Sequence, residues 1–101
     1  MGRLAIVMHG RDNVATAVTD IPARTNVKIE VEGRLRDIEV IQPISLGHKF
    51  AIRHIVSGED IVKYGEVIGV ATREIGVGEH VHISNVESKR GRGDLTGRTR
   101  G

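Results

Sequence analysis

The chain has no cysteine among its 101 residues, which removes disulfides, thiolate nucleophiles and every zinc or iron–sulfur site built on Cys ligands. Its only aromatic residues are Phe50 and Tyr64, so stacking platforms for nucleic-acid bases or for sugar rings have almost nothing to be made from. No apolar run approaches the roughly 20 residues needed to cross a bilayer. The opening stretch, residues 1–8, holds one Arg and five consecutive apolar residues with no signal-peptide cleavage pattern behind it, so a cytoplasmic location is the expectation. G-x-G-x-x-G, a Gly-rich loop ending in Lys-Ser or Lys-Thr, and G-x-S-x-G are all missing, and with them the usual frames for dinucleotide binding, nucleotide hydrolysis and serine-hydrolase chemistry. At this length one small domain fits and two do not, so chemistry involving this chain is expected to be shared with a partner.

What is present is β-branched. Val and Ile number 25 against four Leu, and side chains branched at Cβ lose less rotamer freedom on a pleated strand than in a helix. With 39% hydrophobic and 28% charged residues, the composition is that of a folded globular chain. Residues 27–32, VKIEVE, alternate apolar and charged. Gly33 permits a turn, and residues 35–40, LRDIEV, resume the pattern, which reads as a hairpin with one wet face. Val14, Thr16 and Val18 are expected on one face of an earlier strand with Ala15 and Ala17 opposite. Residues 48–55 and 67–72 are further strand candidates. No 3.6-residue periodicity supports a helix of any length, and only residues 11–19 leave one open.

Charge is unevenly placed. Residues 89–101, KRGRGDLTGRTRG, carry five basic side chains against Asp94, while residues 1–88 carry ten basic and twelve acidic. The division expected is a β domain over 1–88 and a basic Gly-rich tail over 89–101, loose or docked on a partner because Leu95 is its only apolar side chain. The body offers no basic face for phosphate contacts, so neither nucleic acid nor a membrane is the expected partner.

The sequence repeats itself. Residues 51–61, AIRHIVSGEDI, align without gaps on residues 71–81, ATREIGVGEHV, sharing Ala51/Ala71, Arg53/Arg73, Ile55/Ile75, Gly58/Gly78 and Glu59/Glu79. A weaker copy lies at residues 17–27, AVTDIPARTNV, with Arg24 where the later copies have Gly. Each copy reads as a strand end, an apolar anchor, a tight turn and a new strand. The period is too short for a solenoid and indicates one compact β-fold that reuses a corner.

Five His residues are the natural place to look for chemistry. His80 and His82, at i and i+2 in an extended segment, project to one face, a spacing able to chelate a metal or grip a carboxylate and equally compatible with a solvated strand face. His9 ends the apolar run of residues 4–8 and leads into the polar Gly10-Arg11-Asp12-Asn13, where a strand delivers a side chain to a loop. His48 and Lys49, beside Gly47, suit anion binding or proton transfer. His54 aligns with Glu74 and is expected to face solvent. Lys63-Tyr64 is the one pair resembling an acid/base couple, though a lone Tyr in a small β-domain ordinarily packs its ring.

Four blocks, taken in order, are more specific than any of these singly. They are HGRDNVA (residues 9–15), GHKFA (47–51), IVKYGEVIG (61–69) and GEHVH (78–82) followed by Asn85. Together, from about residue 4 to Asp94, they closely resemble the amino-terminal domain of the altronate/galactarate dehydratase family. That resemblance implies a SAF domain, a small all-β fold of the β-clip type with hairpins and little or no helix. It also implies dehydration of a sugar acid to a 2-keto-3-deoxy acid together with a large catalytic chain, and a divalent metal, iron (Fe2+) or Mn2+, in the complete enzyme. Carried onto matching positions, it makes His9, His48 and Lys49 the catalytic candidates, Asp12, Asn13 and Lys63 the substrate-binding candidates, and His80 and His82 the metal candidates. Gly10-Arg11 between His9 and Asp12, and Val70 after the Ile-Gly pair, depart from the family's common pattern and leave the identity of the sugar acid open. The partners implied are the large catalytic subunit and the sugar acid, with self-association an alternative for the isolated chain. Two other readings stand beside this one: the small subunit of a sulfolactate sulfo-lyase, whose elimination expels sulfite, and a non-catalytic β-clip binding module.

Overall fold

The computed structural model describes residues 3–88, and the basic tail lies outside them. Nine strands and no helix make up the described residues: β1 (Ala5–Ile6), β2 (Val14–Ala17), β3 (Thr25–Val31), β4 (Arg34–Val40), β5 (Lys49–Ala51), β6 (Asp60–Lys63), β7 (Glu66–Ala71), β8 (His80–Val81) and β9 (Val86–Ser88). The all-β architecture expected of a β-clip is therefore present, and the stretch left open as helix is the strand β2. No helix among the described residues is long and apolar enough to cross a membrane.

The strands form three antiparallel sheets, ordered β1-β2-β5-β8, β3-β4 and β6-β7-β9. The first stands between two cores. Ala15, Ala17, Phe50 and Ile52 face a cluster completed by Ile21, Val27, Ile29, Ile38, Val40 and Ile44. Val14 and Ala51 face the other way, onto Ile55, Ile61, Ala71, Ile75 and Val81. Period-2 alternation thus separates two apolar faces here, where the sequence suggested one apolar and one small-residue face. Alanines supply much of this central sheet because both faces are packed and large side chains arrive from either side.

The β3–β4 hairpin pairs from Thr25↔Val40 to Val31↔Arg34. Its two-residue turn has positive φ at Glu32 and Gly33, 50° and 80°, as a type I′ turn requires. Leu35 departs from the expected pattern. It lies an odd number of residues from Ile38 and Val40, so the pleat carries it to the wet face, where it is 74% exposed. The β6–β7 hairpin turns in the same way at Tyr64 and Gly65, with φ of 56° and 78°.

The repeated corner proves to be an interlocking device. Ile55 N–H donates to Ile75 O and Ile75 N–H to Ile55 O. Gly58 N–H donates to Ala71 O, and in return Gly78 N–H donates to Ala51 O. Each corner's Glu carboxylate also closes its own turn, Glu59 accepting from Val56 N–H and Glu79 from Gly76 N–H. The weaker copy has a partner that sequence alignment did not reveal, residues 40–48. Ile21 and Ile44 exchange the same pair of bonds, Gly47 N–H donates to Ala17 O, and Arg24 N–H donates to Val40 O. Arg24 adopts φ 68°, close to the 85°, 89° and 85° of Gly47, Gly58 and Gly78 at the equivalent positions.

Equivalent turn positions should not respond alike to a methyl group. At Gly58 an added Cβ meets nothing within 4 Å, so Gly58→Ala carries only the left-handed backbone cost of about 1–2 kcal/mol. At Gly78 the same atom would stand 2.0 Å from Glu39 O, so Gly78→Ala should destabilise by at least ~3 kcal/mol. Urea unfolding measures both, and coincident midpoints would show that the corners are not packed as described.

Candidate functional site

The pairing of β5 with β8 sets the site. Phe50 lies opposite His80 and Lys49 opposite Val81, which brings His48, at the entry to β5, alongside both ends of the H-x-H pair. The three imidazoles stack nearly parallel: centroids are 4.4 Å apart for His48–His82 and 5.1 Å apart for the other two pairs, with interplanar angles of 6–14°. His48 Nδ1 and His80 Nε2 are 2.9 Å apart and share a hydrogen bond.

One ring nitrogen from each of His48, His80 and His82 lies within 4.8 Å of the others. Metal–imidazole bonds of about 2.0–2.1 Å place ligand nitrogens no more than ~4.2 Å apart. The observed spacing comes close to that limit and is reached by side-chain rotation within half-buried positions. Three imidazole nitrogens gathered in this way suit a divalent transition metal, so these residues fit the metal the resemblance implies.

The backbone of this segment is held by side-chain amides, one of them buried. Asn85, 1% exposed, accepts from His82 N–H at Oδ1 and donates from Nδ2 to His80 O, while Gln42 Oε1 accepts from His80 N–H. Neither stood among the candidate residues. Asn85 following the H-x-H pair by three was the readable signal, because that spacing lets an amide close the turn it sits in.

Lys49 is half-buried beside the cluster, and its pKa is lowered from 10.5, first by burial and then by the charge of Lys63. Lys63 in turn holds its ammonium 4.9 Å from the centroid of the Tyr64 ring. A depression of about 230 Å3 adjoins Lys49 and His82, walled by Ile68, Val81, Ile83 and Val86, with Ile83 itself 83% exposed.

The remaining candidates are placed differently. His9 is exposed and outside the imidazole cluster, its ring against Gly65, where an added Cβ would stand 3.0 Å from His9 Cδ2. Asp12 and Asn13, expected to bind substrate, are 1% and 4% exposed and committed to backbone partners. Asp12 accepts from Met8 N–H and His9 N–H at Oδ2 and from Gly65 N–H at Oδ1. Asn13 donates to Asp60 O and accepts from Val62 N–H. Both residues serve to tie the His9 loop to the β6–β7 hairpin. His54 and Glu74 face solvent as expected, and they pair with each other across the two corners.

With this geometry in view, comparison with known proteins is informative. The sequence profile described as the altronate/galactarate dehydratase SAF domain matches residues 3–89, and the chain belongs to that family. It is 36% identical over 83 residues to altronate dehydratase of Escherichia coli (strain K12), covering 82% of this chain and 16% of that protein. Galactarate dehydratase (L-threo-forming) of the same organism is 37% identical over 81 residues, which are 80% of this chain and 14% of that enzyme. The (2R)-sulfolactate sulfo-lyase subunit alpha of Chromohalobacter salexigens is 42% identical over 59 residues, 58% of this chain and 63% of the subunit. The chain thus spans about one-sixth of the length of the dehydratases it matches.

Two outcomes test the site itself. The pKa of His80 is held below 6.5 by burial first, then by His82, His48 and Lys49. The unfolded chain therefore takes up a proton before the folded one, so stability should fall as pH drops from about 6.5 towards the lower folded value and level off beneath it. His80→Gln should flatten that part of a melting-temperature profile; an unchanged slope would show that His80 does not carry it. Mn2+ or Co2+ titrated into the chain should bind at least tenfold more weakly after His48→Ala, His80→Ala or His82→Ala, and unchanged after His9→Ala, by calorimetry.

Proposed function

We propose that this chain is the SAF component of a sugar-acid dehydratase, a hydro-lyase of the altronate/galactarate type that works together with a large catalytic chain. The observation that carries the reading is the convergence of His48, His80 and His82 beside a half-buried Lys49 in a chain of this family. Elimination of water from an aldonate or aldarate begins with a weakly acidic proton α to a carboxylate. A base must take it while the negative charge that develops on the carboxylate oxygens is stabilised, and the C3 hydroxyl then leaves with a proton from an acid.

Lys49 has the character of the base. Its lowered pKa makes the neutral amine available at lower pH than for an ordinary Lys, so Nζ can accept the α-proton. The ammonium of Lys63 lies near enough to contribute to that lowering and would attract the substrate carboxylate. Iron (Fe2+) or Mn2+ held by the three imidazoles would supply Lewis-acid stabilisation of the enediolate when bound. His48 and His80 already share a hydrogen bond, which fixes their ring orientations in advance of any ligand.

A second reading rests on sequence similarity to two sulfolactate sulfo-lyase alpha subunits, 42% identical over 59 residues and 40% identical over 47. The same constellation would serve an elimination that expels sulfite.

Both readings are tested by co-expressing the chain with the large catalytic chain and assaying altronate, galactarate and (2R)-sulfolactate. Formation of a 2-keto-3-deoxy acid only when both chains are present is the expected result. Sulfite release without dehydration would select the sulfo-lyase, and full activity of the large chain alone would leave this one a non-catalytic module. In the complex, His82→Ala should lower turnover on the order of 100-fold or more with little change in melting temperature, since no core cavity is opened. A fall in melting temperature with turnover intact would make His82 a structural residue.

A further inference from the structure

Charge counted along the chain conceals a basic groove. Residues 1–88 carry ten basic side chains against twelve acidic, yet Arg34, Arg36 and Arg53 converge around a depression of about 580 Å3 whose other walls include Gly10, Val31 and Glu32. The parity of β4 puts Arg34 and Arg36 on the side of Ile38 and Val40. They therefore extend the core-facing side of the hairpin past the end of the core, about 7 Å apart along the strand. Two of the three guanidiniums are fixed from behind: Arg36 donates to Ile52 O at 2.8 Å and Arg53 to Asp12 O at 2.9 Å. Both keep most of their five N–H donors for other partners. Arg34 has no side-chain partner among the described residues.

Acidic groups do not neutralise this groove. Glu30 and Asp37 lie on the wet face of the hairpin and pair there with Arg3 and Lys28, and Glu39 shares the parity of Asp37. Asp12 is buried and accepts from backbone N–H groups. Among the described residues Glu32 is the one carboxylate lining the groove; it lies over Gly10 and forms no ion pair with any of the three arginines. Three guanidiniums against one carboxylate leave an excess of positive charge, and residues 32–37 are all exposed.

The same stretch of β4 has an open edge. Val31 and Arg34 flank a two-residue turn and so form a hydrogen-bonded pair, after which the bonded pairs of β4 fall on its even-numbered residues. The odd-numbered residues aim their N–H and C=O groups away from β3. At the far end of the strand the corner at Gly78 meets them: Glu39 O lies against Gly78, and Ile41 N–H donates to Gly78 O. Nearer the turn, Leu35 and Asp37 present the same groups with no backbone partner among the described residues, and β3–β4 stands as a sheet of two strands. A strand added here would bond to Leu35 and Asp37, and its residues opposite Arg34 and Arg36 would project to the arginine side with the same two-residue repeat.

We propose that the free edge of β4 and the Arg34, Arg36 and Arg53 groove form a docking site for an extended acidic segment of another protein chain, which adds as a strand beside Leu35 and Asp37 and sets its carboxylates against the guanidiniums. Charge selects this occupant. A second copy of β4 would bring its own Arg34 and Arg36 to the same edge, so like charge opposes self-pairing. The chain's own tail, residues 89–101, carries five basic side chains against Asp94 and is the wrong sign. The site shares no residue with the imidazole cluster and does not rest on the lyase reading.

The experiment titrates the full 15N-labelled chain with short capped peptides of alternating Glu and Thr, or of alternating Gln and Thr, and follows amide resonances and amide exchange. The Glu–Thr peptide should shift the amides of Leu35 and Asp37 and slow their exchange, because an added strand accepts from these N–H groups. The Gln–Thr peptide should bind at least tenfold more weakly. Arg34→Gln removes a charge with no partner in the described chain, and should weaken the Glu–Thr peptide at least tenfold with the melting temperature unchanged. Leu35→Pro deletes an outward N–H while leaving the β3–β4 ladder whole, and should weaken it about fivefold; Leu35→Ala keeps the N–H and should stay within about twofold. Equal binding of the two peptides, no binding of either, full affinity in Arg34→Gln, or equal loss in Leu35→Pro and Leu35→Ala would each overturn the proposal. So would inorganic polyphosphate binding the wild-type chain and Leu35→Pro alike and more tightly than the Glu–Thr peptide, which would make the groove an anion patch with no strand addition.

Discussion

The reciprocal exchange of backbone hydrogen bonds between paired corners is the constraint on which the rest of this molecule depends. A corner that leaves a sheet strips N–H and C=O groups from the ladder, and a buried group without a partner costs about as much as a lost hydrogen bond. Ile55 and Ile75 solve this for each other, as do Ile21 and Ile44. All four anchors are also at most 1% exposed, so the residues that supply the bonds occupy the two cores as well. A chain with one Phe and one Tyr obtains a core by using one small apolar motif four times instead of by bulk.

The imidazole cluster follows from that reuse. The second and fourth corners send out β5 and β8, and the pairing of these strands places His48 beside His80 and His82. In the third and fourth corners the residue after the turn Gly is Glu59 or Glu79, each spent on its own turn. The second corner has His48 there. Its backbone N–H still closes the turn by donating to Ser45 O, as Glu59 N–H does to Val56 O and Glu79 N–H to Gly76 O. The side chain is thereby released from the corner and joins the cluster. A position at which a structural repeat gives up its stabilising carboxylate for an imidazole is more informative than a His in an arbitrary loop.

This also explains what could be read in the sequence and what could not. The third and fourth corners share their Ala, Arg, Ile, Gly and Glu and were visible by alignment. The hairpins were visible from alternation, and His80 with His82 from spacing. The second corner keeps only Ile44 and Gly47 of the shared residues, so it escaped notice, and so did the reason His48 belongs with His80. They are 32 positions apart and meet through strand register, which no local pattern encodes. The backbone commitments of Asp12 and Asn13 were illegible for a related reason: the family resemblance implied substrate binding, but both side chains are buried against the β6–β7 hairpin, where a carboxylate or amide must satisfy its backbone neighbours. Leu35 continues the apolar composition of β4 but not the parity of Ile38 and Val40, and parity decides which face it takes.

The cluster's exposure bears on how such a domain can take part in catalysis. Its imidazoles and Lys49 are only half-buried, and Ile83 stands beside them almost wholly in solvent. Electrostatic stabilisation of an enediolate is weak where water competes and grows as water is excluded. Burial is already the largest cause of the lowered pKa of Lys49, so a surface laid over the Ile83 shoulder would lower it further and strengthen each charge–dipole contact at the same site. A small domain with rigid strands can fix where the imidazoles and amines stand; it has too little surface to close over them. In the proposed two-component lyase, positioning belongs to this chain and desolvation to its partner, and neither part would have much catalytic power alone.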